Sequence, residues 1–146
     1  MFGKTKKLAA IALIFLAGCE SITGTKPEKA LWDALEIQNY DFVYQVSCFC
    51  GFTFPNPVKL SVRNGVVSAA VPIGSFVGTL PALSTYPTID SLFVVLETAQ
   101  KNTPNGVTVE FDPTYHFPIR IAVDPIKNAA DDEVTYTVES FVPVIN

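Results

Sequence analysis

One histidine, one tryptophan, one methionine and three cysteines occur among 146 residues, and only 16% of the chain is charged. Each scarcity excludes something. A Ser-His-Asp set would have to use His116, and Gly74-Ser75-Phe76 does not extend into G-x-S-x-G. No glycine-rich run is present to cradle a phosphate, so no cofactor is expected. The uncharged stretch Leu8 to Leu16 falls well short of the ~20 residues a spanning helix needs. Acidic residues outnumber basic ones, fourteen to ten, which leaves no basic patch to grip nucleic acid.

What is present begins at the N-terminus. Lys4, Lys6 and Lys7 precede the apolar stretch, and the small residues Ala17 and Gly18 close it. That order is an export signal over residues 1–18, to be left out of fold reasoning. It ends in Leu16-Ala17-Gly18-Cys19, which resembles the lipobox of bacterial lipoproteins. The resemblance implies that Cys19 carries a diacylglycerol, with palmitate-type acyl chains, and becomes the mature N-terminus. Each buried CH₂ contributes ~0.8 kcal/mol, so two or three chains anchor stably to a bilayer. Glu20 is not the aspartate associated with inner-membrane retention, which points to the outer membrane or another extracytoplasmic face of the envelope. Residues 19–26 form a short lipidated tether, in which Glu20 to Lys26 reaches at most ~25 Å. All fourteen acidic but only seven basic residues follow residue 18, so the mature charge is −7. Acylation rather than charge must therefore hold the protein to the membrane.

Residues 27–146 are long enough for one domain with a real core. Pro27 suits a first helical turn, and Leu31, Trp32 and Leu35, with Ala34, form an apolar face to about Gln38. From Tyr40 the chain alternates, with Tyr40, Phe42, Tyr44, Val46, Cys48 and Cys50 on one side of a strand. Val58, Leu60 and Val62 alternate next, and Asn64-Gly65 signals a hairpin. Residues 72 to 87, broken by three prolines and two glycines, form a long loop. Thr88 offers an N-cap to a helix whose apolar face is Ile89, Leu92, Phe93, Leu96 and Ala99. Three strands follow, at 107 to 112, 119 to 124 and 133 to 142. Their inward residues are Val107, Val109, Phe111; Ile119, Ile121, Val123; and Val134, Tyr136, Val138. The fold class is α+β, a single twisted antiparallel sheet of about six strands with two helices on one face, in the order αβββ-αβββ. The layout resembles β-lactamase-inhibitor-like and PepSY-like modules of the cell envelope.

Several motifs resemble one family more closely: the tryptophan helix, Cys48-Phe49-Cys50, the Asn64-Gly65 hairpin, TIDSLF from Thr88, FDPTYHFPIRIAVDP from Phe111, and ADDEVTYTVESF from Ala130. They are similar to the uncharacterised bacterial family called domain of unknown function 6174, whose members are often lipoproteins. The resemblance spans most of Leu31 to Val142 and implies no established activity. At Tyr115-His116-Phe117-Pro118 the family pattern is closer to Tyr-Gly-Tyr-Pro, so His116 stands where the family has glycine.

Cys48 and Cys50 point to one side of a strand, where their Cβ atoms lie further apart than the ~3.5–4.5 Å of a disulfide. A bridge between them therefore needs a bend, which Gly51 permits. Export to an oxidising compartment and lipid on Cys19 leave these two thiols only each other. A strained bridge, two buried thiols and a reducible redox pair all stay open. With His116 they make three metal-ligand candidates lacking zinc spacing. Asp124, Asp131, Asp132 and Glu133 could place carboxylates around calcium, but without EF-hand spacing, so solvated turns are the plainer reading. Phe49 and Phe141 are aromatic exceptions on the outer sheet face, and the 72 to 87 loop is expected to cover them. No catalytic residue is assigned. The reading is a non-catalytic, lipid-anchored envelope lipoprotein whose domain binds or supports an envelope partner. A thiol-disulfide protein using Cys48 and Cys50 and an inhibitor-like module are the alternatives.

Overall fold

The computed structural model describes residues 24–49, 56–126, 129 and 131–144. The export signal, Cys19 and Cys50 lie outside them. Helix α1 (Thr25–Ala34) is followed by β1 (Tyr40–Cys48), β2 (Val58–Arg63) and β3 (Val66–Pro72). A 3-10 turn (Leu83–Thr85) precedes α2 (Ile89–Asn102), and β4 (Val107–Phe111), β5 (Pro118–Val123) and β6 (Val134–Pro143) complete the chain. All pairings are antiparallel, in the order β3-β2-β1-β6-β5-β4. The expected α+β sheet and element order are thus present. The two αβββ runs meet at the centre of the sheet. The first strand of one run sits at the centre beside the last strand of the other.

Alternation drives the central strands as the residues dictate. Tyr40, Phe42, Tyr44 and Val46 of β1 are buried, as are Val58, Leu60 and Val62 of β2. Asn64 (φ 51) and Gly65 (φ 74) are both left-handed, the backbone of a two-residue type I′ turn that matches the strand twist. Helix α2 buries Ile89, Leu92, Phe93 and Leu96 and is fixed at its start by Thr88. The Thr88 hydroxyl accepts from Ser91 N–H at 3.2 Å, and Ser91 Oγ accepts from Thr88 N–H at 2.7 Å. The buried Tyr40 hydroxyl accepts from Ile89 N–H at 3.0 Å, tying β1 to the start of α2.

Helix α1 departs from expectation. It starts at Thr25, which moves Pro27 to the third helical position, still within the turn whose N–H groups lack helical partners. It stops at Ala34, before left-handed Glu36 (φ 51), rather than at Gln38. Leu31 and Leu35 are 47% and 42% exposed, so they are not part of a buried face. Trp32 alone anchors the apolar side, edge-on to Tyr40, Phe117 and Phe141 at 5.7, 5.8 and 6.0 Å between ring centroids. Polar contacts supply the rest: Thr25 Oγ1 donates to Gln100 Oε1 at 2.9 Å, and Trp32 Nε1 donates to Asp90 Oδ1 at 3.3 Å. The two helices therefore run antiparallel, with the start of α1 against the end of α2.

A bulge explains a second correction. Between the pairs Asp41↔Val142 and Val43↔Glu139, β6 uses one residue more than β1, and Ser140 sits there with φ 52. The extra residue reverses the alternation beyond it. Phe141 turns to the helix-covered face, 4.6 Å from the Phe117 ring and 5.0 Å from the Tyr115 ring, while Val142 faces solvent. Phe141 is therefore covered by core aromatics and not by the 72 to 87 loop. Phe49, 79% exposed, is not covered at all.

Candidate interaction surface

The sheet has two edges, and they are built differently. Edge strand β4 is five residues long, carries Glu110, and bulges between Glu110 and Phe111. Glu110 lies 3.5 Å from Arg120 of β5. The chain enters β4 through Gly106, whose N–H donates to Thr103 O at 3.0 Å and whose carbonyl accepts from Asp124 N–H at 2.7 Å. A Cβ on Gly106 would stand 2.0 Å from the Asp124 carbonyl oxygen, so the close approach requires glycine. Edge strand β3, VVSAAVP, is seven residues long and uncharged.

That neutrality extends far beyond the strand. From Asn64 to Ile89 no residue is charged, although the chain as a whole carries −4. Half of the large apolar side chains exposed among the described residues fall within this span: Val66, Val71, Ile73, Val77, Leu80 and Leu83. Val77 is fully exposed and Val66 is 63% exposed. Val66 and Val71 lie opposite Arg63 and Lys59 and share the open face of the sheet with them. Val67 and Ala70, opposite Val62 and Leu60, turn toward the core. The charges stop one strand in. Arg63 Nη2 is 2.9 Å and Lys59 Nζ 3.6 Å from the Asp41 carboxylate. Burial acts to raise the Asp41 pKa, but hydrogen bonds from Ser61 and Arg63 and the charges of Arg63 and Lys59 outweigh it and hold the carboxyl below its ordinary range.

The span is anchored at both ends, and its 3-10 turn packs back against β3. At its start Gly65 N–H donates to Gln38 O at 3.0 Å and Asn64 N–H to Asn39 Oδ1 at 2.9 Å. At its end Tyr86 is buried and Thr88 caps α2. Between Val66, Val67, Leu83, Tyr86 and Ser91 lies an open hollow of about 350 Å³. The signal for this surface, a long gap in charge, stands in the sequence. Its meaning needed the strand order.

The residues singled out from the sequence are scattered. Cys48 is disulfide-bonded, half-buried at the end of β1, and its partner lies outside the described residues. His116 Nδ1 is 2.9 Å from Glu28 Oε2, joining the turn before β5 to α1. That turn is left-handed at His116 (φ 64), a backbone that suits glycine better than histidine. Asp112 holds the turn: its Oδ1 accepts from Thr114 and Tyr115 N–H at 2.8 and 2.7 Å. Asp132 Oδ2 accepts from Ile126 N–H at 3.0 Å, a turn bond of the kind expected for the acidic run. Asp124, Asp131, Asp132 and Glu133 do not converge: among the described residues no three His, Cys, Asp or Glu side chains gather closely enough to hold a metal ion. Nor is any helix among these residues long and apolar enough to cross a membrane.

A family model described as a family of unknown function, DUF6174, matches residues 24–143. The chain belongs to this family. The match runs from the residue before α1 to the last residue of β6, so the DUF6174 unit and the six-stranded fold coincide. No curated protein and no solved structure matches the chain.

Proposed function

We propose that this DUF6174 chain is a lipid-anchored protein of the bacterial cell envelope whose domain binds a protein partner through β3 and the uncharged segment after it. One observation carries the reading. Apolar side chains exposed together on a charge-free segment, beside an open strand edge, form the kind of surface that marks an interaction site. The lipobox-like Leu16 to Cys19 supplies the anchor, and the short tether keeps the domain near the bilayer. Two measurements test the reading. Intact mass of the membrane-extracted protein should show acyl chains on Cys19 and loss of residues 1–18. A photoreactive side chain in place of Val77 should give a protein adduct in the native membrane. A freely soluble chain with an unmodified Cys19 thiol defeats the anchor, and a Val77 probe that captures only water defeats the binding surface.

The disulfide at Cys48 favours a second reading, thiol-disulfide exchange. A bridge that opens to alkylation under mild reductant, with a measurable potential, would promote it over partner binding.

A further inference from the structure

Resting on that reading, we infer that the partner of β3 is β3 of a second copy of this chain, the two edges pairing antiparallel about Ala70. The ladder fixes which groups are free. Ile73 N–H donates to Pro57 O at 3.1 Å, so alternation turns the backbone of Val71 toward β2 and that of Ala70 and Pro72 to the open edge. No backbone hydrogen bond among the described residues reaches them there. A two-fold axis through Ala70 lets its N–H and C=O exchange two bonds with the same residue of the other copy. It also sets Ala69 of each copy opposite Val71 of the other, a small residue against a branched one, on the open face.

Symmetry and charge both select a second copy. The two-fold axis of an antiparallel edge pair stands perpendicular to the sheet, so the helices of both copies stay on one side. Each chain enters its helix layer through Gly24, so the starts of both domains lie on one side of the paired sheets, as anchoring to a single membrane requires. Parallel pairing would reverse one copy and put the two Gly24 residues on opposite sides. Like charges do not oppose the contact, because the segment has none. The nearest, Lys59 and Arg63 on β2, are three strand spacings from their counterparts. That is about 14 Å at ~4.8 Å per spacing, well beyond the ~8 Å Debye length at physiological salt. One strand pair buries less than the ~1,200 Å² of a standard interface, so Ile73, Val77 and Leu80 must add contact. Confinement of both copies to one bilayer raises their effective concentration.

The test uses the full chain in its own membrane, with photoreactive p-benzoylphenylalanine in place of Ala69. The expected result is an adduct of twice the chain mass, reduced about tenfold by Val71→Lys, which puts a charge on the pairing edge. Val71 is 57% exposed and lies opposite Lys59, whose charge Asp41 partly compensates, so the variant should lose no more than a few degrees of melting temperature, which shows that the loss is not unfolding. The same probe in place of Thr108, on edge strand β4, should give no self-adduct. Equal self-adducts from both edges, or a self-adduct indifferent to Val71→Lys, overturn the pairing. An adduct to a different protein also overturns it and leaves partner binding standing. Adducts from neither the Ala69 nor the Val77 probe, on a folded and anchored chain, overturn both.

Discussion

Strands β3 and β4 face the same problem, a row of unpaired backbone groups at the end of a sheet, and meet it in opposite ways. β4 is short, bulged and charged, and it is locked from both ends by backbone contacts through Gly106 and Asp112. These are the usual means of keeping an edge from pairing. β3 has a proline at its far end and a bulge at Ser61/Val62, but no charge along its length or for seventeen residues after it. One edge is thus closed by charge, bulge and backbone lock, and the other is left neutral.

The largest expected effect breaks the protected side. Gly106→Ala would drive a methyl into the Asp124 carbonyl, where backbone meets backbone and neither yields easily. A loss of about 3 kcal/mol or more is expected in urea unfolding, among the larger effects of single substitutions. Asp112→Ala removes the acceptor of two N–H bonds in the turn joining β4 to β5 and should cost about 2 kcal/mol in the same measurement. On the open side the entry turn is more forgiving. Gly65→Ala meets only the flexible end of Gln38, at 2.9 Å, so the cost is the left-handed backbone, about 1 kcal/mol. If Gly65→Ala proved as damaging as Gly106→Ala, the division between a locked and an open edge would be wrong.

Much of this was legible in the residues. The alternation from Tyr40 to Val46, the Asn64-Gly65 turn and the spacing from Ile89 to Leu96 each name their own element, because local periodicity and turn chemistry decide them. Alternation alone puts Phe141 on the outer face, because a bulge at Ser140, an ordinary residue with φ 52, leaves no mark in the pattern. Helical spacing groups Leu31 and Leu35 with Trp32, but among the large apolar side chains of this stretch only Trp32 is buried. The open edge was illegible for another reason. Which strands end a sheet depends on non-local pairing, and the placement of β6 beside β1 is what pushes β3 outward.

The smallest expected effect concerns the charges that border the neutral edge. Asp41 compensates Lys59 and Arg63 on the open face, with its carboxyl pKa held below the ordinary value. The sign follows from linkage. A carboxyl whose folded pKa is depressed contributes its full stabilisation above the unfolded value, near pH ~3.9, and loses it as pH falls through the lower folded value. Asp41→Asn should therefore cost under about 1 kcal/mol at neutral pH, since the group is partly exposed and screened. It should also flatten part of the stability loss below about pH 4. Urea unfolding at a series of pH values reads both. If the variant and the parent lost stability in parallel through the acid range, Asp41 would not be what neutralises the cations beside β3, and the border of the uncharged surface would have to be drawn elsewhere.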